Sequence, residues 1–233
     1  FPLDVLGAET DGMIGYMIEQ ALENALGHDR AVATLLTQIE VDPKDPAFAK
    51  PTKFIGPVYD KAEAERLAQA RGWSIAADGA HWRRVVPSPM PSGIPDLKVL
   101  ELLLEQDVTL ICAGGGGIPV VRRADGSLIG VEAVIDKDHA TALLAHKLKA
   151  DALLLLTDVE AVFRGFGTEA QTAIRRVSPE DAVRLDLPEG SMAPKVAAAA
   201  SFVSGRDHYA CVGRLEDALA MLEGRAGTMI ANT

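Results

Sequence analysis

Short apolar runs that end at glycine or polar residues recur along the chain, and they predict buried strands. One run, 108–113, is followed directly by four glycines, and a second, 153–156, is followed by Thr157 and Asp158. Runs of this length bounded by turn residues are typical of strands in a parallel sheet. Because strand and helix patterns alternate as far as Ile230, the chain is predicted to fold as an α/β protein built from βα units.

A long amphipathic helix is predicted near the start of the sequence, over about 8–26. Its apolar side chains share one stripe with helical spacing: Met13, Ile14, Met17, Ile18, Ala21 and Leu22. Gly12 and Gly15 would allow another element to approach closely. The stripe fits an ordinary core helix and an interface with a second subunit about equally well.

The segment 40–91 is predicted to be a small lobe inserted into a single domain of 233 residues. It begins with a proline-rich excursion, unlike the short loops of an α/β sheet. Asp60 and Glu63 form a capping-box pattern for a helix that ends near Gly72, and 82–86 predicts a returning strand. No apolar run in the segment is long enough for an independent core.

Gly114, Gly115, Gly116 and Gly117 follow a predicted strand at its carboxyl end, where open α/β sheets bind ligands. Residues without Cβ allow backbone N–H groups to close around an anion, and a flexible turn is the alternative interpretation. No Lys-Ser/Thr pair follows the run, which excludes a P-loop. Pro119 stands where a dinucleotide fingerprint has its last glycine, which excludes a standard NAD site.

Two lysines are predicted to lie at helix N-termini, where a cation opposes the helix dipole. Lys137 precedes a helical pattern whose predicted N-cap is Asp138, and Asp136 and Asp138 are placed to hold the lysine ammonium. Lys195 follows Pro194 in the first turn of an alanine-rich helix. Such positions cost stability unless an anion offsets the charge, so we expect a phosphate ligand. A solvated charge cluster is the alternative.

Another set of candidate residues follows the second predicted strand. Thr157 and Asp158 emerge at its carboxyl end, which is the edge of the sheet expected for the glycine loop. Phe163 comes shortly afterwards and is a candidate contact for a base or ribose. A position in the hydrophobic core is the alternative for this phenylalanine.

Composition narrows the class of protein without choosing a reaction. A chain of 233 residues with 48% hydrophobic content can bury a substantial core, and a net charge of −10 argues against a nucleic-acid partner. Cys112 and Cys211 lie inside apolar runs, as small core residues do in a reducing compartment. The histidines show no metal-ligand spacing, and no signal-peptide or membrane-spanning pattern occurs. We therefore expect no metal centre, no membrane contact and a cytoplasmic location.

Several segments together resemble carbamate kinases of the amino-acid-kinase superfamily. CAGGGGIPV, VIDKD, LLLTDVEAVF and GSMAPK occur in the order of the family. PLDVLGAETDGMIGYMIEQ, LLTQIEVDPKDPAFAKPTKFIGPVYD and WRRVVPSP resemble carbamate kinases more than the superfamily in general. The resemblance covers nearly the whole chain. It implies a three-layer αβα sandwich with a mainly parallel open sheet and a small protruding lobe, in a homodimer with the first helix near the interface.

The activity that the resemblance implies is reversible phosphoryl transfer between ATP and carbamate, which in arginine catabolism runs from carbamoyl phosphate and ADP to ATP. The four glycines would then bind carbamate or carbamoyl phosphate, and Mg²⁺ would bridge the nucleotide phosphates. Four charged residues would serve catalysis: Lys53, Lys137 and Lys195 at the phosphoryl group, with Asp138 orienting the lysines. Five residues would shape the nucleotide side: Thr157, Asp158, Val162, Phe163 and Met192.

The chain also departs from the family pattern. Family members begin with two strands that end in a Gly-Gly-Asn-Ala loop and a His-Gly-Asn-Gly-Pro loop; neither occurs here, so we expect a fragment or a chain shorter than the native one. Ala193 and Glu160 stand where glycine and aspartate are usual. Two alternatives therefore accompany the carbamate kinase hypothesis. They are another phosphotransferase of the superfamily and a non-catalytic or fragmentary homologue that dimerises and binds nucleotide weakly.

Overall fold

The computed structural model describes residues 1–27, 29–187, 191–205 and 207–232, so Gly190 of the GSMAPK motif lies outside the described residues. The chain divides into two compact units, Phe1–Ala140 and Thr141–Thr233. Helices and strands alternate in both, which confirms the predicted mixed α/β character. None of the helices in the described ranges is long and apolar enough to cross a membrane.

The first unit contains three helices in its described residues and begins a fourth that continues into the second unit. The helices are α1 (Leu3–Leu26), α2 (Lys61–Arg71), α3 (Leu97–Glu105) and α4 (Lys137–Lys147). The strands are β1 (Val32–Leu35), β2 (Gln38–Val41), β3 (Lys53–Tyr59), β4 (Ser74–Asp78), β5 (His81–Val86), β6 (Pro91–Gly93), β7 (Thr109–Cys112), β8 (Ile118–Arg122) and β9 (Leu128–Gly130).

Parallel pairing in the first unit positions the glycine loop. Strand β1 pairs with β7 in parallel, with Leu35 opposite Cys112, and β2 pairs in parallel with β8. The four glycines connect β7 to β8, at the carboxyl end of β7 as predicted. Thr37 fixes both ends of this connection, because its hydroxyl accepts from the Ala113 N–H at 3.0 Å and its carbonyl accepts from the Ile118 N–H at 2.8 Å.

A lobe, defined here as residues 53–86, lies within the insertion predicted at 40–91. Its strands form an antiparallel sheet in the order β3-β5-β4, and α2 packs against β4 and β5. The Asp60 carboxylate accepts from the Glu63 N–H at 2.9 Å, and α2 ends at Gly72 in the left-handed conformation, as the sequence predicts. The Arg71 and Arg84 guanidinium groups both pack on Trp73, 4.8 and 4.9 Å from its ring centroid.

Helix α1 begins at Leu3, earlier than the pattern predicts, and its apolar stripe is on the exposed side. Met13 and Met17 are 60% and 63% exposed, whereas the buried residues of the helix are Asp11 and Gly15. A Cβ on Gly15 would overlap the Thr34 side chain, so this glycine allows α1 to approach β1 closely. The small face of the helix therefore packs inward and the large apolar face does not.

The second unit continues from the end of α4 and contains a four-stranded sheet in the order β10-β14-β15-β13. Its strands are β10 (Ala152–Thr157), β11 (Val162–Arg164), β12 (Thr172–Ile174), β13 (Arg176–Val177), β14 (Tyr209–Arg214) and β15 (Thr228–Ala231). Its remaining helices are α5 (Pro179–Ala182), α6 (Met192–Val203) and α7 (Ala218–Leu222).

Helix α6 anchors the core of the second unit. It packs against β10, β14 and β15, and it buries Val196, Phe202 and Val203. Four successive residues of β14 are buried, as in a strand that is covered on both faces. Because β10 and β14 are parallel, Thr157 and Arg214 emerge together at the carboxyl ends of these strands.

Candidate active site

The glycine loop packs so closely on neighbouring residues that side chains would not fit at Gly116 or Gly117. Gly116 and Gly117 have φ values of +142° and +83°, a region that side chains disfavour. A Cβ on Gly116 would overlap the carbonyl oxygen of Ile135, and one on Gly117 would overlap Ile39. A Cβ on Gly115 would meet no described atom within 4 Å. The loop is therefore packed on one side and open at Gly115.

Asp11 of α1 reaches the loop, and the sequence pattern did not single it out. Its carboxyl accepts a hydrogen bond from the Gly115 N–H at 3.3 Å, although only 6% of the residue is exposed. The second carboxyl oxygen is buried and has no hydrogen-bond partner within the described parts of the chain. Burial raises the pKa of Asp11 above its ordinary value, and the Gly115 N–H opposes part of this effect.

Asp136 joins the lobe to the start of α4. One carboxylate oxygen accepts from the Lys53 ammonium at 2.8 Å, and the other accepts from the Asp138 N–H at 3.0 Å. Burial alone would raise the pKa of Asp136, but the Lys53 ammonium and the Asp138 N–H lower it below its ordinary value. The prediction that Asp138 is the N-cap is wrong, because α4 begins at Lys137 and Asp136 provides the capping carboxylate.

The glycine loop and Asp11 line one cleft of about 260 Å³ in the first unit. Thr10 and Asp11 of α1 line it together with Gly115, Gly117 and Ile135, and Ile55 of the lobe contributes to the same wall. Because Gly116 packs on the carbonyl of Ile135, the glycine loop lies directly beside the segment that leads to Lys137. The first unit thus brings together the glycines, the lobe and the start of α4.

A second pocket, of about 220 Å³, lies wholly within the second unit. It contains four predicted nucleotide residues, Thr157, Asp158, Phe163 and Met192, and five that the sequence did not indicate: Val159, Ala161, Phe166, Leu187 and Ser191. The Thr157 hydroxyl donates to the Asp158 carboxylate at 3.1 Å, so the polar edge of the pocket is ordered internally. Its other walls are mainly apolar.

The remaining predicted residues of the second unit have different surroundings. Lys195 is half-buried in the first turn of α6, on the helix that begins with Met192. Val162 is fully buried in the hydrophobic core, and it does not line the pocket.

Comparison with known proteins identifies relatives of this chain. The model of the amino acid kinase family matches residues 9–213. A carbamate kinase from Rhizobium meliloti (strain 1021) is 51% identical over 235 residues, which cover 100% of this chain and 72% of the relative. A carbamate kinase from Haemophilus influenzae is 53% identical over 230 residues, which cover 99% of this chain and 74% of that relative.

Solved structures share the fold. A carbamate kinase from Giardia lamblia bound to AMP-PNP matches with a TM-score of 0.90 and 38% identity, covering 100% of this chain and 76% of that structure. A crystal structure from Aeropyrum pernix K1 matches with a TM-score of 0.92 and 38% identity, covering 100% of this chain and 77% of that structure. The α/β fold class predicted from the sequence is therefore confirmed.

Proposed function

We propose a function on the premise that this chain belongs to the carbamate kinases of the amino acid kinase family. It is a kinase that transfers a phosphoryl group reversibly between ATP and carbamate. In the direction that forms ATP, an oxygen of the ADP β-phosphate attacks the phosphorus of carbamoyl phosphate. The bond from phosphorus to the carbamoyl oxygen breaks, and carbamate leaves as an anion. We assign this direction to arginine catabolism.

The observation that carries the proposed chemistry is the convergence in the first unit. The glycine loop packs on Ile135, Lys53 reaches Asp136, and Lys137 and Asp138 follow at the start of α4. Carbamoyl phosphate is an anion, and backbone N–H groups, ammonium groups and a helix N-terminus all favour anions. Phosphoryl transfer depends on such positioning and charge stabilisation more than on a protein nucleophile.

The roles proposed for the first unit follow from these positions. The glycine loop binds the carbamoyl end of the substrate, and Gly115 offers its open side. Lys53 and Lys137 neutralise the charge on the transferring phosphoryl group. Asp138, which is 5% exposed, fixes the orientation of the first turn of α4. The reaction needs no proton transfer by these residues, because carbamate leaves as the anion.

The nucleotide is proposed to bind the pocket of the second unit. Phe163 and Met192 supply apolar contact area for the base, and Thr157 and Asp158 supply polar groups for the ribose. Lys195 at the start of α6 adds a cation for the nucleotide phosphates.

Mg²⁺ is proposed to arrive with the nucleotide as part of the substrate. Within the described ranges no cluster of three or more His, Cys, Asp or Glu side chains is placed to hold a metal ion. This fits Mg²⁺ in phosphoryl-transfer enzymes, which is bound largely by substrate phosphates and water. When bound, the ion neutralises phosphate charge during transfer.

A homodimer with α1 at its interface is also proposed. On one helix, Met13, Tyr16 and Met17 are 60%, 63% and 63% exposed. A patch of large exposed apolar residues is typical of a surface that binds a partner. Sedimentation equilibrium of the chain tests the dimer. The thiols of Cys112 and Cys211 are free, which supports a reducing location such as the cytoplasm.

The experiment that tests the function measures ATP formation from ADP, Mg²⁺ and carbamoyl phosphate by the 233-residue chain. Lys137→Ala provides the control, because Lys137 is exposed and its removal leaves the core intact. The expected loss of kcat is about 10²–10³-fold with an unchanged thermal midpoint, since the charge acts in the transition state. Equal ATP formation by the two proteins would remove Lys137 from the mechanism. Absence of ATP formation by the parent chain would favour the non-catalytic alternative.

A further inference from the structure

Asp136 and Glu132 each join the lobe to the rest of the first unit by an ion pair, and the two pairs differ in the lobe residue that they hold. Asp136 binds the Lys53 ammonium at 2.8 Å, and Glu132 binds the Arg84 guanidinium at 3.1 Å. Lys53 is a proposed catalytic residue. Arg84 instead packs on Trp73 and has no proposed contact with substrate. The Arg84–Glu132 pair can therefore serve as a comparison for the Lys53–Asp136 pair.

Lys53 depends on a distant partner for its position. It lies in β3 on the lobe, and its flexible side chain can place its ammonium group in many positions. Asp136 is 83 residues away in sequence, and its side chain is only 17% exposed. A largely buried carboxylate in fixed geometry selects one of the many positions that the lysine can take.

The carboxylate of Asp136 is itself fixed by α4. Its second oxygen accepts from the Asp138 N–H, so the group that binds Lys53 also caps the helix that begins with Lys137. The lowered pKa of Asp136 agrees with a carboxylate that stays ionised while it serves both partners. Through its two oxygens, Asp136 thus links the Lys53 ammonium to the start of α4.

We propose that Asp136 is a positioning residue that holds the Lys53 ammonium at the start of α4, where it meets the transferring phosphoryl group. The proposal rests on the proposed function of Lys53. In this role Asp136 acts on Lys53 and not on the substrate, because its negative charge alone would weaken anion binding. Its contribution to the rate therefore comes through Lys53.

The test is a double-mutant cycle with Asp136→Asn and Lys53→Met, in which ATP formation and thermal unfolding are both measured. Asparagine keeps an oxygen that can accept from the Asp138 N–H but removes the charge that holds Lys53. Asp136→Asn is expected to lower kcat about tenfold or more with the KM for ADP unchanged, because small misplacements of catalytic groups are costly. In the Lys53→Met background the same substitution is expected to change kcat less than about twofold.

Glu132→Gln is the matched control, since it removes the other carboxylate that joins the lobe. Its kcat is expected to stay within about twofold of the parent, because the Glu132 side chain is 57% exposed and glutamine keeps an oxygen that can accept from the Leu3 N–H. Equal losses in Glu132→Gln and Asp136→Asn would overturn the proposal in favour of general attachment of the lobe. A loss in Asp136→Asn that persists without Lys53 would also overturn it, as would an increase in kcat.

Two outcomes separate this inference from the proposed function. If Lys53→Met retains full activity, the role assigned to Lys53 fails, and the positioning role fails with it. If Lys53→Met is impaired and Asp136→Asn is not, the function of Lys53 stands and only the positioning role of Asp136 is wrong.

Discussion

The glycine cleft of the first unit and the pocket of the second unit differ in the contacts that shape them. The cleft is shaped by backbone packed on backbone, with Gly116 against the Ile135 carbonyl, and the ion pair between Asp136 and Lys53 follows directly after Ile135 in the chain. The pocket is built from side chains, with Phe163 and Met192 among its walls and a single polar edge. Both have apolar residues in their walls, but close backbone packing and a neighbouring ion pair distinguish the first, and aromatic contact area distinguishes the second.

The difference indicates how each site should respond to change. Backbone contacts and ion pairs fix positions to a fraction of an ångström, so a small substitution there changes the chemical step. Apolar walls contribute through contact area, so a substitution there reduces affinity in proportion to the area lost. We therefore expect kcat effects in the first unit and KM effects for the nucleotide in the second.

The largest expected effect is that of Gly115→Val. The new side chain enters the open side of the loop, where a Cβ meets no described atom within 4 Å, and so it occupies the space proposed for carbamoyl phosphate. We expect the initial rate of ATP formation to fall at least about 10²-fold. The denaturant midpoint should stay close to that of the parent.

Gly116→Ala is the matched control for this loop. Its Cβ would overlap the Ile135 carbonyl at a φ of +142°, so we expect a loss of about 1–3 kcal/mol in the free energy of unfolding. The two neighbouring glycines thus separate occupation of the cleft from support of the fold. An unchanged rate of ATP formation by Gly115→Val would contradict the proposed position of the substrate.

A smaller effect is expected from Phe163→Ala in the second unit. Loss of the ring removes apolar contact area, and we expect the KM for ADP to rise about tenfold, equivalent to about 1.4 kcal/mol. The kcat should stay within about twofold. Phe166→Ala is a comparison within the same pocket: its ring lies 6.0 Å from that of Phe163 but is 56% exposed, so its loss is expected to raise the KM less. A fall in kcat at constant KM would remove the distinction between the two sites.

Local features of both sites could be predicted from the sequence. A strand that ends in glycines, or in Thr157 and Asp158, places those residues at a known edge of a parallel sheet, and the structure has them there. Lys195 could be assigned to a helix start because Pro194 marks the first turn. These predictions succeed because each depends on neighbours within a few residues.

Contacts between distant segments could not be predicted in the same way. Asp136 was expected to hold the lysine beside it, and the structure pairs it with Lys53 on the lobe. Asp11 contacts Gly115 across 104 residues of sequence, and no periodicity indicates such a pair. The apolar stripe of α1 shows the same limit, because a pattern identifies an apolar face but not what covers it.

The smallest effect concerns Asp11, and it tests whether the cleft of the first unit uses this buried charge. Burial raises the pKa of Asp11 in the folded state above its unfolded value, so ionisation costs stability once the pH exceeds that unfolded value. Asparagine keeps an oxygen for the Gly115 N–H but carries no charge. Asp11→Asn is therefore expected to raise the free energy of unfolding by about 1 kcal/mol at pH 7.

Below the ordinary pKa of an aspartate, about 3.9, the carboxyl is protonated in both the folded and unfolded states, and the difference between Asp11→Asn and the parent should vanish. Denaturant unfolding of both proteins from pH 3 to pH 8 measures this dependence. A difference that does not change with pH would mean that the charge of Asp11 is not what costs stability. A difference that grows with pH, together with slower ATP formation by Asp11→Asn, would mean that the destabilising carboxylate acts on the glycine loop. The first unit would then depend on charge at Asp11 as well as at Lys53.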